Sequence, residues 1–599
     1  MSDSKPISGG RAPAFIDPQD TLFGHPKGLM ILFFTEMWER FSYYGMRGIL
    51  VLFLVSNVNG GFSWTETEAI SLYGTYTMLV YLVAIPGGLL ADKVLGQKKS
   101  VMLGGFTLVA GHFLMAWPAE WAFYTALALI IAGTGMLKPN ISTMVGGLYR
   151  EGDSRRDSGF TIFYMGINLG AFLAALIVGY VGETIGWHYG FSLAGIGMLL
   201  GQMVFIGGQK YLRHVGNLVK SEDRIFDKNE RQQQEGGNGF SKVEKDRLVL
   251  LGISFVIVLV FWAAFEQAGG LMNLYTKNYT DRYIGDEFAV NEYNTQGKDT
   301  QDLLAIEATK KVVENKQVTE FNTVGEFFGN LVSPRSLTYE EINSELSKPI
   351  EVEGTTIEPA TRINSRQFML PVAEADSATY NALLSDSAPI VETSSAFTIF
   401  DRQNEQPGFI VPASWFQSLN ALFILIFGGI VATIWLYLAK TGKNPPSIAK
   451  MGIGTAIMGT GFIFMVFASL QRESSIFGLS SMWWLVLAYL FHTLGELALS
   501  PVALSYITKL APKSLVASIM GIYFAVTGLG NKVAGLLGEA AQNMGEMEIF
   551  GGIAVVSILL GLLLWIFSGK LNRLSHGAED KHDNEGKAQT GQLLEAELS

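Results

Sequence analysis

Seven ionisable residues sit inside long apolar stretches: Glu36, Glu39, Arg40 and Arg47 in the first stretch, Lys138 in the fourth, Glu266 in the seventh and Glu496 in the tenth. Near a bilayer centre such a residue costs at least about 2.5 kcal/mol on insertion scales, so each needs a partner or a task. Glu36 and Arg40 are four residues apart and share a helix face, with Glu39 beside them. Two carboxylates around one guanidinium cannot both be fully compensated, so one can hold a proton near neutral pH. This is equipment for carrying a proton. No nucleophile–base pair, phosphate-binding loop or metal cluster stands out, so neither an enzyme nor a bound metal or cofactor is expected. Cys is absent, which removes disulfides and thiolate chemistry.

Depth sorts the remaining charges, at about 1.5 Å of rise per helical residue. The first and seventh stretches run outward and bring Arg47 and Glu266 to similar levels in the outer half. The fourth and tenth run inward and bring Lys138 and Glu496 to similar levels in the inner half. Opposite charges match in depth, and each pair spans the two halves of the chain. Arg47–Glu266 and Lys138–Glu496 are therefore expected to act as two gates that close alternately, because a buried charge that loses its partner must find another. Static ion pairs holding the halves together are the plainer alternative.

The elements that must position these groups are membrane helices. Apolar runs recur near 28–56, 66–92, 100–117, 121–147, 159–181, 188–211, 248–275, 413–439, 448–470, 481–509, 514–541 and 547–569. Each is long enough to cross a hydrocarbon core about 30 Å thick. The expected fold is all-α: twelve transmembrane helices in two six-helix bundles with a central site between them. The expected divisions are an N-terminal tail 1–27, a bundle 28–211, a linker 212–247, helix seven at 248–276, an insert 277–412, helices eight to twelve at 413–572 and a tail 573–599. No cleavable signal peptide is expected at the start. Lys98, Lys99, Arg150, Arg155, Arg156, Lys440, Lys443, Lys509 and Lys513 crowd alternate loops. The positive-inside rule then puts both termini in the cytoplasm and the insert outside.

The net charge of −11 follows this division. Residues 277–412 hold 11 Lys/Arg against 22 Asp/Glu, so the other 463 residues are balanced at 32 and 32. A nucleic-acid binder would need a basic face, and a disordered acidic chain would lack 12% aromatics. Stretches such as Phe397-Thr-Ile-Phe400 mark the insert as a small soluble unit containing β-strands.

Several motifs resemble known families. Gly88-Leu-Leu-Ala-Asp92-Lys93 with Gly96-Gln-Lys98-Lys99 is similar to the loop after span two of the major facilitator superfamily, with one extra residue before the second Gly. Glu36-Met-Trp-Glu39-Arg40-Phe-Ser-Tyr43-Tyr44-Gly45 resembles the E-x-x-E-R-F-x-Y-Y-G signature of proton-dependent oligopeptide transporters. Gly133 to Asn140 resembles their G-x-x-K-P-N stretch, and Phe163 to Gly170 their F-Y-x-x-I-N-x-G. Phe261-Trp262 with Glu266-Gln267, Trp415 to Asn420, and Gly495-Glu496 with Ser500-Pro501 extend the resemblance across the second half.

The resemblance implies proton-coupled import of di- and tripeptides by alternating access, in a bacterial inner membrane and expected as a monomer. It implies that Arg47 and Lys138 meet the peptide carboxylate and Glu496 its amino terminus. Asn168 and Asn420 would bond the peptide backbone. Tyr44, Tyr81, Trp262 and Tyr523 would line side-chain pockets, with Ser500 in the same substrate-binding set. Glu36, Glu39, Arg40 and Lys138 would couple the proton. Aromatic walls suit such a cargo, because they accept many side chains through area and cation–π contact. Two features depart from the family pattern: the insert follows span seven, and Gly74 stands where animal members place a proton-handling histidine. A carrier of another small anion or drug, or a transporter whose insert is an interaction module, are the competing readings. Lys532 and Glu539 on span eleven receive no role.

Overall fold

The computed structural model describes residues 21–58, 60–149, 153, 155–212, 215–218, 241–284, 410–474, 479–512 and 515–578, together with strand backbone at 350–352, 355–357, 361–362, 367–371, 397–401 and 409. Twelve long helices are present among these residues: α1 Lys27–Val55, α2 Glu66–Leu95, α3 Gln97–Met115, α4 Glu120–Gly147, α5 Arg155–Tyr180, α6 Trp187–Gly207, α7 Lys242–Tyr279, α8 Ser418–Lys440, α9 Ser447–Ser474, α10 Met482–Leu510, α11 Val516–Met544 and α12 Glu546–Arg573. Ten of the twelve are long and apolar enough to cross a membrane. The other two are α1, which carries the buried charges, and α3, which opens on Gln97-Lys98-Lys99.

The helices form two bundles. One buried apolar core joins α1 to α6, and a second joins α7 to α12. Small residues let backbones approach where lipid supplies no hydrophobic drive between helices. A Cβ on Gly104 of α3 would lie 2.7 Å from the Gly133 carbonyl of α4, and one on Gly454 of α9 would lie 2.7 Å from the Gly495 carbonyl of α10. The same glycine crossing thus recurs in both halves, just ahead of Lys138 and Glu496. The expected all-α membrane protein of two six-helix bundles, the major facilitator arrangement, is the architecture observed.

The bundles face each other along two seams, α2 on α11 and α5 on α8. In the first seam a Cβ on Gly74 would lie 2.9 Å from the Gly535 Cα. The position has no room for the histidine of animal members. Gly74 is a packing site.

Local irregularities place the functional groups. Helix α2 ends in a π turn, Ala91–Leu95, whose wider ring takes up the extra residue before Gly96. Gly96 then takes φ 77°, a left-handed value that suits glycine. Helix α7 breaks once. Lys242–Phe265 ends in a 3-10 turn, Glu266–Ala268, and Leu271–Tyr279 resumes after Gly270. The break keeps Gln267 and Glu266 buried while redirecting the chain.

At the end of α7, Tyr283–Ile284 pairs antiparallel with Phe409–Ile410, so both ends of the insert meet at one root. Thr280–Asp281 also pairs with Ser480–Ser481 at the start of α10. Within the insert, Thr361–Arg362, Gln367–Pro371 and Phe397–Asp401 form a three-stranded antiparallel sheet, and the last strand contains the predicted stretch Phe397–Phe400. Most of 285–408 lies outside the described residues.

Candidate functional site

A cleft of about 970 Å³, counting the open solvent at its mouth, lies between the bundles. Helix α1 supplies Tyr44 and Arg47, α2 Tyr81, α5 Tyr164 and Asn168, α7 Trp262 and Glu266, α8 Asn420, and α10 Glu496. Both halves therefore contribute walls.

The end of the cleft nearer the insert is shut. An Arg47 Nη donates to Glu266 Oε1 at 3.0 Å, and the Tyr73 hydroxyl donates to Glu266 Oε2 at 3.1 Å. Arg47 also lies over the rings of Tyr43, Tyr44 and Tyr73, at 5.9, 5.3 and 5.9 Å. The pair is almost wholly buried, with side-chain exposures of 9% and 1%. Two amides add to the closure: Asn273 and Gln417 donate to the Gly48 carbonyl at 3.0 and 3.1 Å.

The end nearer the 212–247 linker differs. Among the described residues, Lys138 and Glu496 make no ion pair with each other. The Lys138 Nζ lies 4.0 Å from the Tyr81 ring centre, and Glu496 Oε2 accepts from Asn420 at 2.8 Å. Of the two pairs expected to close alternately, Arg47–Glu266 is made here and Lys138–Glu496 is not, each of the latter charges having a local partner instead.

Beside the cleft, Arg40 Nε sits 2.8 Å from Glu36 and 2.7 Å from Glu39, all three nearly inaccessible. Only Glu36 accepts a well-aligned hydrogen bond from Arg40. Neither Glu39 oxygen has a hydrogen-bond partner among the described residues. One guanidinium is thus shared unequally between two carboxylates.

Of the predicted binding residues, Tyr44, Arg47, Tyr81, Asn168, Trp262, Asn420 and Glu496 line the cleft. Lys138, Ser500 and Tyr523 are not among its walls. Tyr523 packs in the second bundle's core, and Lys138 reaches the cleft through Tyr81. Tyr164, Gln417, Tyr489 and His492 are walls that the sequence reading did not assign. Tyr164 and Gln417 fall inside motifs already quoted, which was the available signal. His492 also packs on Phe462, with ring centres 4.4 Å apart and the rings tilted. Lys532 and Glu539, left without a role, approach each other to 3.8 Å, and Lys532 donates to Thr75 of α2.

With this geometry in place, comparison with known proteins decides the family. Residues 98–231 and 391–551 match the POT family, and the chain is 36% identical over 566 residues to the uncharacterized transporter YclF of Bacillus subtilis, covering 94% of this chain and 97% of the relative. The chain belongs to the POT family. Peptide transporter YePEPT of Yersinia enterocolitica is 33% identical, with 97% of this chain and 99% of the relative covered. The di-/tripeptide transporter of Lactococcus lactis subsp. cremoris is 31% identical, with 93% and 98% covered. Among solved structures, peptide transporter POT in complex with sulfate superposes with a TM-score of 0.66 at 29% identity, covering 93% of this chain and 98% of that one. As a POT family member, this chain is a membrane transporter.

Proposed function

We propose that the protein imports di- and tripeptides together with protons by alternating access. One observation carries the reading: a cleft between two bundles with a cation at one end, Arg47, and a hydrogen-bonded carboxylate at the other, Glu496. A zwitterionic peptide presents the complementary charges at its two ends, and the tyrosine and tryptophan walls between them tolerate varied side chains. Relatives that align over nearly the whole chain are named for di-/tripeptide transport, which supports the same cargo.

In this reading Arg47 and Lys138 receive the peptide carboxylate, Glu496 its ammonium, and Asn168 and Asn420 its amide groups. The proton rides on the Glu36–Glu39–Arg40 cluster, with Lys138 in its field. Arg47–Glu266 and Lys138–Glu496 are the alternating gates. The basic loops put the linker in the cytoplasm and the insert outside, in a bacterial inner membrane. The geometry is then a state closed to the outside.

Uptake of a labelled dialanine into proteoliposomes is the test. An inwardly directed proton gradient should drive accumulation, and Glu496→Gln should abolish it. Uptake that ignores the gradient, or a preference for a small inorganic anion over peptide, would overturn the proposal.

A further inference from the structure

Glu183 ends the first bundle's α5 in a π turn, Val181–Ile185. Its carboxylate reaches the other bundle. There it accepts from the backbone N–H groups of Ala413 and Ser414 at 2.8 Å each, and from the Ser414 hydroxyl at 2.5 Å. Ala413–Gln417 is the 3-10 turn that opens α8. The first N–H groups of a helix have no partner within it and carry the positive end of its dipole, so a carboxylate there is favoured twice. Here the capping group comes from the opposite bundle.

The turn is held in place from behind. Arg282, which is buried, donates to the Val411 carbonyl at 2.5 Å, and the Val411 N–H donates to the Arg282 carbonyl at 2.9 Å. Tyr283 pairs with Ile410. The root of the insert therefore fixes residues 411–414 against Glu183. Nearby, the Trp415 indole donates to the Leu176 carbonyl of α5 at 3.0 Å.

We propose that Glu183 is a gating residue, a clasp that closes the insert side of the cleft by capping α8 across the bundle interface. It acts separately from the Arg47–Glu266 pair. When the insert side opens, α5 and α8 part, and two backbone N–H groups and one carboxylate exchange their partners for water. The clasp weights the balance between states without touching cargo. The inference rests on the alternating-access reading.

The chain has no Cys, so an introduced thiol reports alone. Ala171→Cys places one on the cleft wall of α5, and a membrane-impermeant maleimide can be offered from either side of oriented proteoliposomes. Labelling of the otherwise native chain should proceed from the linker side and slowly from the insert side. Glu183→Ala should raise insert-side labelling roughly tenfold, the size expected when charge-assisted hydrogen bonds are lost from one state only. Glu183→Gln and Ser414→Ala should raise it less, and they decide the matter if Glu183→Ala does not reach the membrane. Linker-side labelling with no response in any variant overturns the clasp. Equal labelling from both sides of the native chain, or from neither, overturns alternating access itself.

Discussion

At the scale of single residues, the charges were the most legible feature, because a bilayer makes each one costly and so gives it meaning. The Arg47–Glu266 contact follows from depth matching alone, and it is found at 3.0 Å. The cluster on α1 adds what spacing did not show, namely that its two carboxylates are inequivalent. Glu36 holds the hydrogen bond from Arg40, while neither Glu39 oxygen has a hydrogen-bond partner among the described residues, and the proposed carrier of the proton within the cluster is therefore Glu39. We expect Glu39→Gln to abolish gradient-driven accumulation while leaving peptide exchange across the membrane. Glu36→Gln should impair both, because it also loosens Arg40. Counterflow measured beside uptake separates the two, and matching profiles would refute the assignment. Tyr164 and Gln417 were less legible for a chemical reason. An aromatic or amide on a membrane helix looks the same in sequence whether it packs against a neighbour or faces a cleft.

At the scale of elements, the spans were legible to within a few residues, since runs of about 20 apolar residues leave little choice. The interruptions were not. Gly269-Gly270 in an apolar run reads as close packing, and only the fold shows that α7 breaks there. The alignment of Gly74 with a histidine of animal relatives invited a question about protons, and the answer is steric. Its neighbour across the seam is the backbone of Gly535, which cannot give way as a flexible side chain would. Gly74→His should therefore destabilise the protein by about 1–3 kcal/mol, the usual scale of overpacking. Thermal unfolding of the purified variant should show a lower midpoint, and peptide uptake should fall with it. A stable, active Gly74→His protein would mean that the α2–α11 seam is looser than its glycines imply.

At the scale of the whole molecule, the two proposed gates, Arg47–Glu266 and Lys138–Glu496, would work as one device. In this state the pair nearer the insert is made and the pair nearer the linker is not, and the unpaired Lys138 and Glu496 rest on Tyr81 and Asn420. The converse state must bring the linker-side ends of α4 and α10 together. Ser142 and Ser500 lie four residues beyond Lys138 and Glu496, so cysteines there leave the gating charges in place. With no other thiol in the chain, a short bis-maleimide can bridge only these two. Removing one partner of a buried pair leaves an uncompensated charge, which penalises the state that contains the pair. Glu266→Gln should thus shift the population toward the state closed on the linker side, and each 1.4 kcal/mol of penalty changes the ratio about tenfold. Bridging in the double-cysteine protein should be slow, and Glu266→Gln should speed it severalfold. Adding Glu496→Gln should reverse that gain, because the second pair is then absent as well. If Glu266→Gln leaves bridging unchanged, the two pairs are static ties between the bundles, and the energy that drives exchange between states lies elsewhere.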